Sequence, residues 1–475
     1  MIFYRNNRNE MRPHPVYILY DAKKWIPLLA LWLIRQWLKP DPPGTAAAFG
    51  EIGWPLLLFA FSVVRWVFAR YTIDNRGRIS LTRGVFLRRQ IMVMPDDTSS
   101  VTADCTLLMW LTRSRRLWIH TAGIRRRADA ILFLPLARAS RLLPEKQPLS
   151  DGKPYCARIW PILLMAATGS NIAFGLLTLA PALYQAADLA GSTVAREIPG
   201  ILARVMHLGI PPLLNTLAGL LIWGWLLSFC FTAARYLRFT VSVEQNRLLI
   251  RQGLVTEHRI WIAGNKITAL ELRQTVLMRL LSLYTVSLTA AGFGRQKGMR
   301  PVLIPAARLR EISAALQRLL PDYPLCNRFL QPRHDQLPRY IIKPAILISA
   351  GICLLFFGGF LRIGGFGLLA AGVWWTAAGW SGFRAGGFGV TRAVGGYGAA
   401  SIRYVRGLTF CEVHIPLEVA DCILLRQSRG QRRRGICSAE IRCFDEQRRR
   451  HRIAGLPYEA AKTMVEQHYT APFQE

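Results

Sequence analysis

The chain has 475 residues, of which 52% are hydrophobic and only 19% charged, against about 25% charged in an average soluble domain. Its 61 Lys+Arg against 28 Asp+Glu give a formal net charge of +33, an excess that points to nucleic acid, an anionic membrane surface or positive-inside topology. Nine cysteines, an odd number with no Cys-x-x-Cys and no Cys/His cluster at zinc-finger spacing, exclude complete internal disulfide pairing and a zinc ribbon, and fit reduced cytoplasmic thiols.

From the N-terminus, a mixed polar stretch precedes the first apolar run and no small-residue cleavage site follows it, so no signal peptide is expected. Six apolar segments near the length of a membrane-spanning helix, about 20 residues, then occur in three pairs: 25–38 with 46–68, 159–186 with 210–231, and 341–360 with 364–380. The first is short and holds Arg35, which sits near one end and can snorkel; Arg362 lies at the tip of the third hairpin. That hairpin is glycine-rich, and the spacings Gly367-x-x-x-Ala371 and Ala378-x-x-x-Gly382 predict close helix–helix packing there.

Between and after the pairs lie segments 1–24, 65–158, 235–343 and 384–475. Together they hold every Lys and Arg except Arg35, Lys39, Arg196, Arg204 and Arg362. The bias extends to charges flanking the apolar runs, among them Lys23, Lys24, Arg65, Arg158, Arg235, Lys343 and Arg384. The N-terminus and the large segments are therefore predicted cytoplasmic, in a multi-pass membrane protein. On the far side, residues 192–206 carry apolar residues at the spacing of a short interfacial helix.

The three large segments share one order of signals. Each opens with alternating strand residues, Tyr71-Thr72-Ile73, Phe239 to Val243 and Phe388 to Thr391. A second strand ends at a glycine after basic residues: Arg83-Gly84, Arg251-Gln252-Gly253 and Arg406-Gly407. A third strand follows. Leu272-Arg273-Gln274-Thr275 then answers Leu425-Arg426-Gln427-Ser428, with Arg279 answering Arg432, whereas the first copy reads Ala103-Asp104-Cys105-Thr106. Each copy closes on an apolar strand with a proline and a helical tail, as in Leu132 to Arg138, Val302 to Arg308 and Ile453 to Ala461, the proline being expected in the first helical turn. Short strands followed by one amphipathic helix predict a small barrel or sandwich with a helical cap, an α+β fold hung on membrane α-helical hairpins. The expected organisation is an N-terminal segment with hairpin 1 (1–70), domain 1 (71–150), hairpin 2 (155–236), domain 2 (237–325), hairpin 3 (339–383) and domain 3 (384–475).

The order of hairpin, Arg-Gly turn, Leu-Arg-Gln segment and Gly-Leu-Pro-Tyr-Glu-Ala tail, with the opening Arg12-Pro13-His14-Pro15, resembles bacterial membrane proteins of the YdbS/YdbT type. Those carry bacterial pleckstrin-homology-like (PH-like) domains of the second class. The resemblance implies three β-barrel or sandwich domains, each with a C-terminal helix. It implies no catalytic site, and it suggests a shorter PH-like membrane protein as partner.

No Gly-x-Ser-x-Gly, His-Glu-x-x-His or Walker loop occurs. Gly386-Gly387-Phe388-Gly389 and Gly395-Gly396-Tyr397-Gly398 read as flexible turns, and His120, His258 and His414 as strand residues, without ligand spacing for a metal. No cofactor is expected. The sharp surface feature is arginine: Arg113, Arg115 and Arg116; Arg125, Arg126 and Arg127; Arg432, Arg433 and Arg434; Arg448, Arg449 and Arg450. These are the candidate contacts for anionic phospholipid of the inner leaflet or for a partner protein, the plain alternative being solvated loops that serve topology and solubility. Nucleic acid is disfavoured because aromatic residues are not interleaved with these runs. The expected function is a non-enzymatic membrane scaffold binding lipid headgroups, a partner or another copy of itself. A transporter or export component is the alternative, with Asn171, Asn215 and Thr216 as its few polar span residues.

Overall fold

The computed structural model describes residues 11–25, 45–74, 78–85, 87–121, 130–142, 154–169, 212–244, 247–291, 301–321, 323–326, 328–356, 360–392, 398–407, 409–443 and 450–469. Three strand-rich units follow one another. The first comprises helices α1 (Val16–Ala22) and α2 (Thr45–Phe68), strands β1 (Arg70–Ile73), β2 (Ile79–Arg83), β3 (Arg89–Val93) and β4 (Thr98–Cys105), the short helix α3 (Leu107–Leu111), β5 (Ser114–Thr121), β6 (Ala130–Pro135) and α4 (Leu136–Leu142). The second runs β7 (Tyr155–Cys156), α5 (Ile159–Gly169), α6 (Pro212–Tyr236), β8 (Thr240–Glu244), β9 (Arg247–Gln252), β10 (Glu257–Ala263), β11 (Ile267–Thr275), α7 (Val276–Leu280), β12 (Leu283–Ala290), β13 (Val302–Arg308) and α8 (Leu309–Leu319). The third runs α9 (Leu337–Leu355), α10 (Phe360–Ala385), β14 (Gly387–Arg392), β15 (Gly398–Arg406), β16 (Thr409–Pro416), β17 (Ala420–Arg426), α11 (Arg429–Arg433), β18 (Ile436–Cys443), β19 (His451–Pro457) and α12 (Tyr458–Tyr469).

Among the described residues every strand pairing is antiparallel, and the sheets do not respect the units. Strands order as β1-β2-β3, β6-β5-β4-β10-β9-β8-β7, β13-β12-β11-β16-β15-β14 and β17-β18-β19. The second triplet of one unit thus hydrogen-bonds to the first triplet of the next, through β4·β10 and β11·β16. Self-contained barrels are replaced by sheets that run on through two seams. The physical reason is the edge: a strand with one unpaired side offers a row of backbone donors and acceptors, and the neighbouring unit satisfies them. Within each unit the two triplets still enclose a core, built on Leu117, Ile119 and Leu132 in the first, Ile250, Leu272 and Leu316 in the second, and Ile402, Ile441 and Leu456 in the third.

Among the described residues, the segment His334–Leu355 is long and apolar enough to cross a membrane. Helices α2, α6 and α10 coincide with expected apolar segments, α5 covers the start of another, and 26–44 and 170–211, with the interfacial stretch 192–206 and Asn171, lie outside the described residues. Helix α9 packs along α10, but not through the spacings expected. A Cβ on Gly367 would meet nothing within 4 Å, and one on Gly382 only the Val405 side chain. The close contacts are instead at Gly365, Gly372 and Gly379, seven residues apart. Cβ atoms there would lie 3.0 Å from the Gly351 carbonyl, 2.5 Å from Ile348 and 2.7 Å from the Tyr340 carbonyl respectively. Spacing of seven keeps one helix face on its neighbour, which spacing of four does less well over several turns.

Two further expectations change. The closing prolines belong to strands: Pro135 and Pro457 end β6 and β19, and Pro305 sits inside β13. All three strands are sheet edges, where a missing N–H is tolerated. Residues 387–392 form β14 rather than a flexible turn, with Phe388 fully buried in the core.

Candidate functional site at the unit seams

One local device recurs in each unit. A side-chain hydroxyl caps a five-residue helix by accepting from the backbone N–H three residues on: Thr106 from Met109, Thr275 from Met278, Ser428 from Gln431. Seven residues after the cap the backbone turns left-handed, at Arg113 (φ 48°), Ser282 (φ 53°) and Gly435 (φ 63°). The capped third residue is buried each time, and the positions around it face outward. Those positions carry Leu107, Leu108, Trp110 and Leu111 on α3, Val276, Leu277, Arg279 and Leu280 on α7, and Arg429, Arg432 and Arg433 on α11. Trp110 is 72% exposed and Leu280 83%.

The two apolar copies stand beside the long helices. Met109 of α3 clusters with Tyr17 and Tyr20 of α1 and with Trp66 near the end of α2. Met278 of α7 clusters with Met165 of α5 and Tyr236 at the end of α6. The turn after β9 joins them: Leu254 donates its N–H to Ala234 of α6, 2.9 Å. Leu254 and Val255 are exposed, and they line a cavity of about 560 Å³ at the first seam together with Leu107, Trp110, Arg238 and Arg251.

At the second seam a cavity of about 380 Å³ opens at the foot of α10, lined by Arg279, Arg384 and Arg403 with Phe329, Phe410 and Glu412. Arg279 lies 4.0 Å over the ring of Phe410, Arg403 3.6 Å over Phe329 and Arg384 5.4 Å over Trp380, so aromatic faces hold the three cations in place. Arg403 Nε donates to Glu412 Oε2 at 2.7 Å, and His414 Nε2 approaches the other oxygen at 3.0 Å. Burial by itself would raise the Glu412 pKa, but the hydrogen bonds and charges of His414 and Arg403 outweigh it and hold the carboxyl below its usual range. Ser401 Oγ lies 2.7 Å from His414 Nδ1. This Ser–His–Glu series is enclosed by the sheet, with Ser401 and His414 fully buried, so the hydroxyl meets no substrate there.

The first seam is centred on Asp104, fully buried. Its carboxylate accepts from Arg116 Nη2 at 2.6 Å and Trp118 Nε1 at 2.7 Å in its own unit, and lies 2.7 Å from His258 Nδ1 of the next. Burial opposes the charge, yet the His258 hydrogen bond and the Arg116 charge together lower its pKa.

The expected arginine candidates separate accordingly. Arg116 is spent on Asp104 and on the rings of Tyr20 and Trp118, both at 4.8 Å. This removes it from the surface contacts, because a buried carboxylate needs a fixed cation. Arg115 is half-buried on β5, and Arg113 is exposed at the left-handed turn. Arg432, Arg433, Arg434 and Arg450 are exposed. Arg125, Arg126, Arg127, Arg448 and Arg449 lie outside the described residues. The second-seam cavity is lined instead by Arg279, Arg384 and Arg403, which no run marks.

Sequence comparison now bears on the same units. A family model described as Bacterial PH domain matches residues 26–147 and 193–320. The chain belongs to this bacterial PH domain family. Both matches take in a helical segment and the strand-rich unit after it; the third unit lies beyond them. The chain is 22% identical over 357 residues to the UPF0699 transmembrane protein YdbT of Bacillus subtilis (strain 168), covering 66% of this chain and 69% of that protein. No solved structure matches. The protein is thus a membrane protein with bacterial PH-like domains of the YdbT type.

Proposed function

We propose that the chain is a multi-pass scaffold of the bacterial cell membrane whose three PH-like units, hung from three helical hairpins, lie against the cytoplasmic leaflet and hold anionic phospholipid headgroups at their seams. The observation that carries this reading is the second-seam cavity at the foot of α10, with Arg279, Arg384 and Arg403 converging on it. Each arginine held near an anionic leaflet contributes about 1 kcal/mol. The third unit matches the first two in strand order, cap and turn, which supports counting it as a PH-like copy. The exposed apolar side chains of α3 and α7, placed beside helices that we read as spans, supply a second hold. A leucine side chain carried fully into the acyl boundary contributes about 1.5–3 kcal/mol. Catalysis has no part in this reading.

The test uses the full chain in lipid nanodiscs with mixed phosphatidylglycerol and phosphatidylcholine, followed by native mass spectrometry of the lipids retained. Wild type retains phosphatidylglycerol in excess of its share. Arg279→Ala and Arg384→Ala each lower that enrichment about fivefold, the equivalent of about 1 kcal/mol. Equal retention of both lipids by wild type would sink the proposal.

A further inference from the structure

Two strands are left half-paired among the described residues in a way their counterparts are not. Strand β3 pairs only with β2, and β17 only with β18. Their counterparts β10 and β16, and β4 and β11, form the two seams. Burial follows pairing. Met92 of β3 is 72% exposed, while Trp261 at the matching place on β10 is 2% exposed. Most of β17 is half-buried, whereas β4 and β11 are largely buried. Among the described residues, β3 and β17 are therefore the two unmatched halves of one junction that the chain makes twice internally.

We infer that β17 of one copy pairs antiparallel with β3 of a second copy, forming a third seam between molecules. The occupant follows from continuity with the internal seams: only a chain carrying this unit presents the complementary edge together with the cap, the short helix and the turn that flank it. Repeating an internal pairing also repeats the relation between neighbouring units, so the second copy's helices stand to the first copy's as those of neighbouring units do within the chain. Such head-to-tail contacts build rings or rows rather than closed two-fold dimers.

The internal seams also supply the register. Arg89, His258 and Thr409 are equivalent, each facing the residue before its turn glycine: Arg83, Gln252 and Arg406. His258 pairs with Asp104, two residues before the cap Thr106, whereas Thr409 pairs with the cap Thr275 itself. The first register would set Arg89 opposite Arg426, a like-charge pair that destabilises a sheet. The second sets Arg89 opposite Ser428, Met92 opposite Leu425 and Met94 opposite Ile423. Slipping by two residues keeps every side chain on its face, so charge selects the second register, in which the remaining like pair, Arg88 and Arg429, falls beyond the last rung seen at the second seam, Thr275 with Thr409.

Facing residues of an antiparallel pair lie about 4.5–5.5 Å apart at Cα, within disulfide reach. The experiment co-expresses two differently tagged full-length chains, one with Met92→Cys and the other with Leu425→Cys, and oxidises native membranes. A disulfide between the tags that needs both cysteines is expected, several-fold stronger than with Met92→Cys and Ile423→Cys. Native mass spectrometry of wild type in nanodiscs is expected to show dimers or longer rows. Wild-type monomers alone, or absence of both disulfides with each variant in the membrane at wild-type level, would overturn the inference. So would a disulfide joining Met92→Cys of two copies, which means β3 on β3, or one joining Met92→Cys to a different protein. None of these readouts depends on lipid retention, so this inference and the lipid reading fail separately.

Discussion

At the first seam the buried carboxylate reaches across. Asp104 of the first unit is 2.7 Å from His258 of the second, so one side chain ties two units. At the second seam the ion pairs described join residues of one unit: Glu271 with Arg273 in the second, and Glu412 with Arg403 and His414 in the third. The backbone ladder and the stacking of Arg279 on Phe410 cross there. One strand-pairing geometry thus tolerates quite different chemistry. The ladder supplies the join, and side chains decide how strongly a single substitution or a change of pH is felt across it.

The largest expected effect is at Asp104. Asp104→Ala strands Arg116, Trp118 Nε1 and His258 at once, and breaking a buried pair in this way costs about 3–5 kcal/mol. Limited proteolysis between the first and second units should speed up markedly, while Glu412→Gln should leave proteolysis between the second and third little changed. Equal sensitivity of the two seams would break the comparison.

Next come the turn glycines. Gly253 has φ +106°, and a Cβ there would collide with the Thr256 carbonyl; Gly407 has φ +64° with open space around it. Gly407→Ala should cost about 1–2 kcal/mol for the left-handed backbone alone. Gly253→Ala should cost clearly more, as read by the thermal midpoint in detergent.

For pH, the sign follows from depressed carboxyl values in the folded protein. Asp104 and Glu412 are both lowered. Their contributions are therefore complete above the unfolded values, about 4, and are lost as pH falls through the still lower folded ones. Hydrogen exchange of the β4 and β10 amides should be unchanged by these two carboxyls from pH 7 to 5, after correction for intrinsic rates. It should rise only in stronger acid, and more at the first seam than at the second. The smallest effect is Arg279→Ala, which removes the stacking on Phe410 at about 0.5–1 kcal/mol; Arg279→Lys should recover part of it in the same melting assay.

Much of the unit was legible from local pattern. Alternation located the first strands, the Arg-Gly pairs located the turns, and Leu-Arg-Gln-Thr matched Leu-Arg-Gln-Ser at a cap, although the cap itself went unread. The first copy looked divergent at Ala103-Asp104-Cys105-Thr106. Its backbone device is the same, because Thr106 keeps the cap while the residues before it are free to change. Asp104 could not be read as a seam residue, since its decisive partner His258 lies 154 positions away. Runs of arginine are visible in the sequence, whereas the single arginines that line the second-seam cavity are not. Arg279 and Arg403 matter through Phe410 and Phe329, which adjoin neither of them in the chain.

The sequence by itself determined what depends on neighbours within a few residues: apolar lengths, strand faces and the glycines at strand turns. Only the tertiary structure decided which strand edges meet, in what register, and which charges are enclosed. Alternation specifies the two faces of a strand, whereas pairing is made by backbone groups that every residue shares. A sequence pattern can therefore announce a sheet without saying where it stops, and here two sheets run on from one unit into the next while β3 and β17 end theirs.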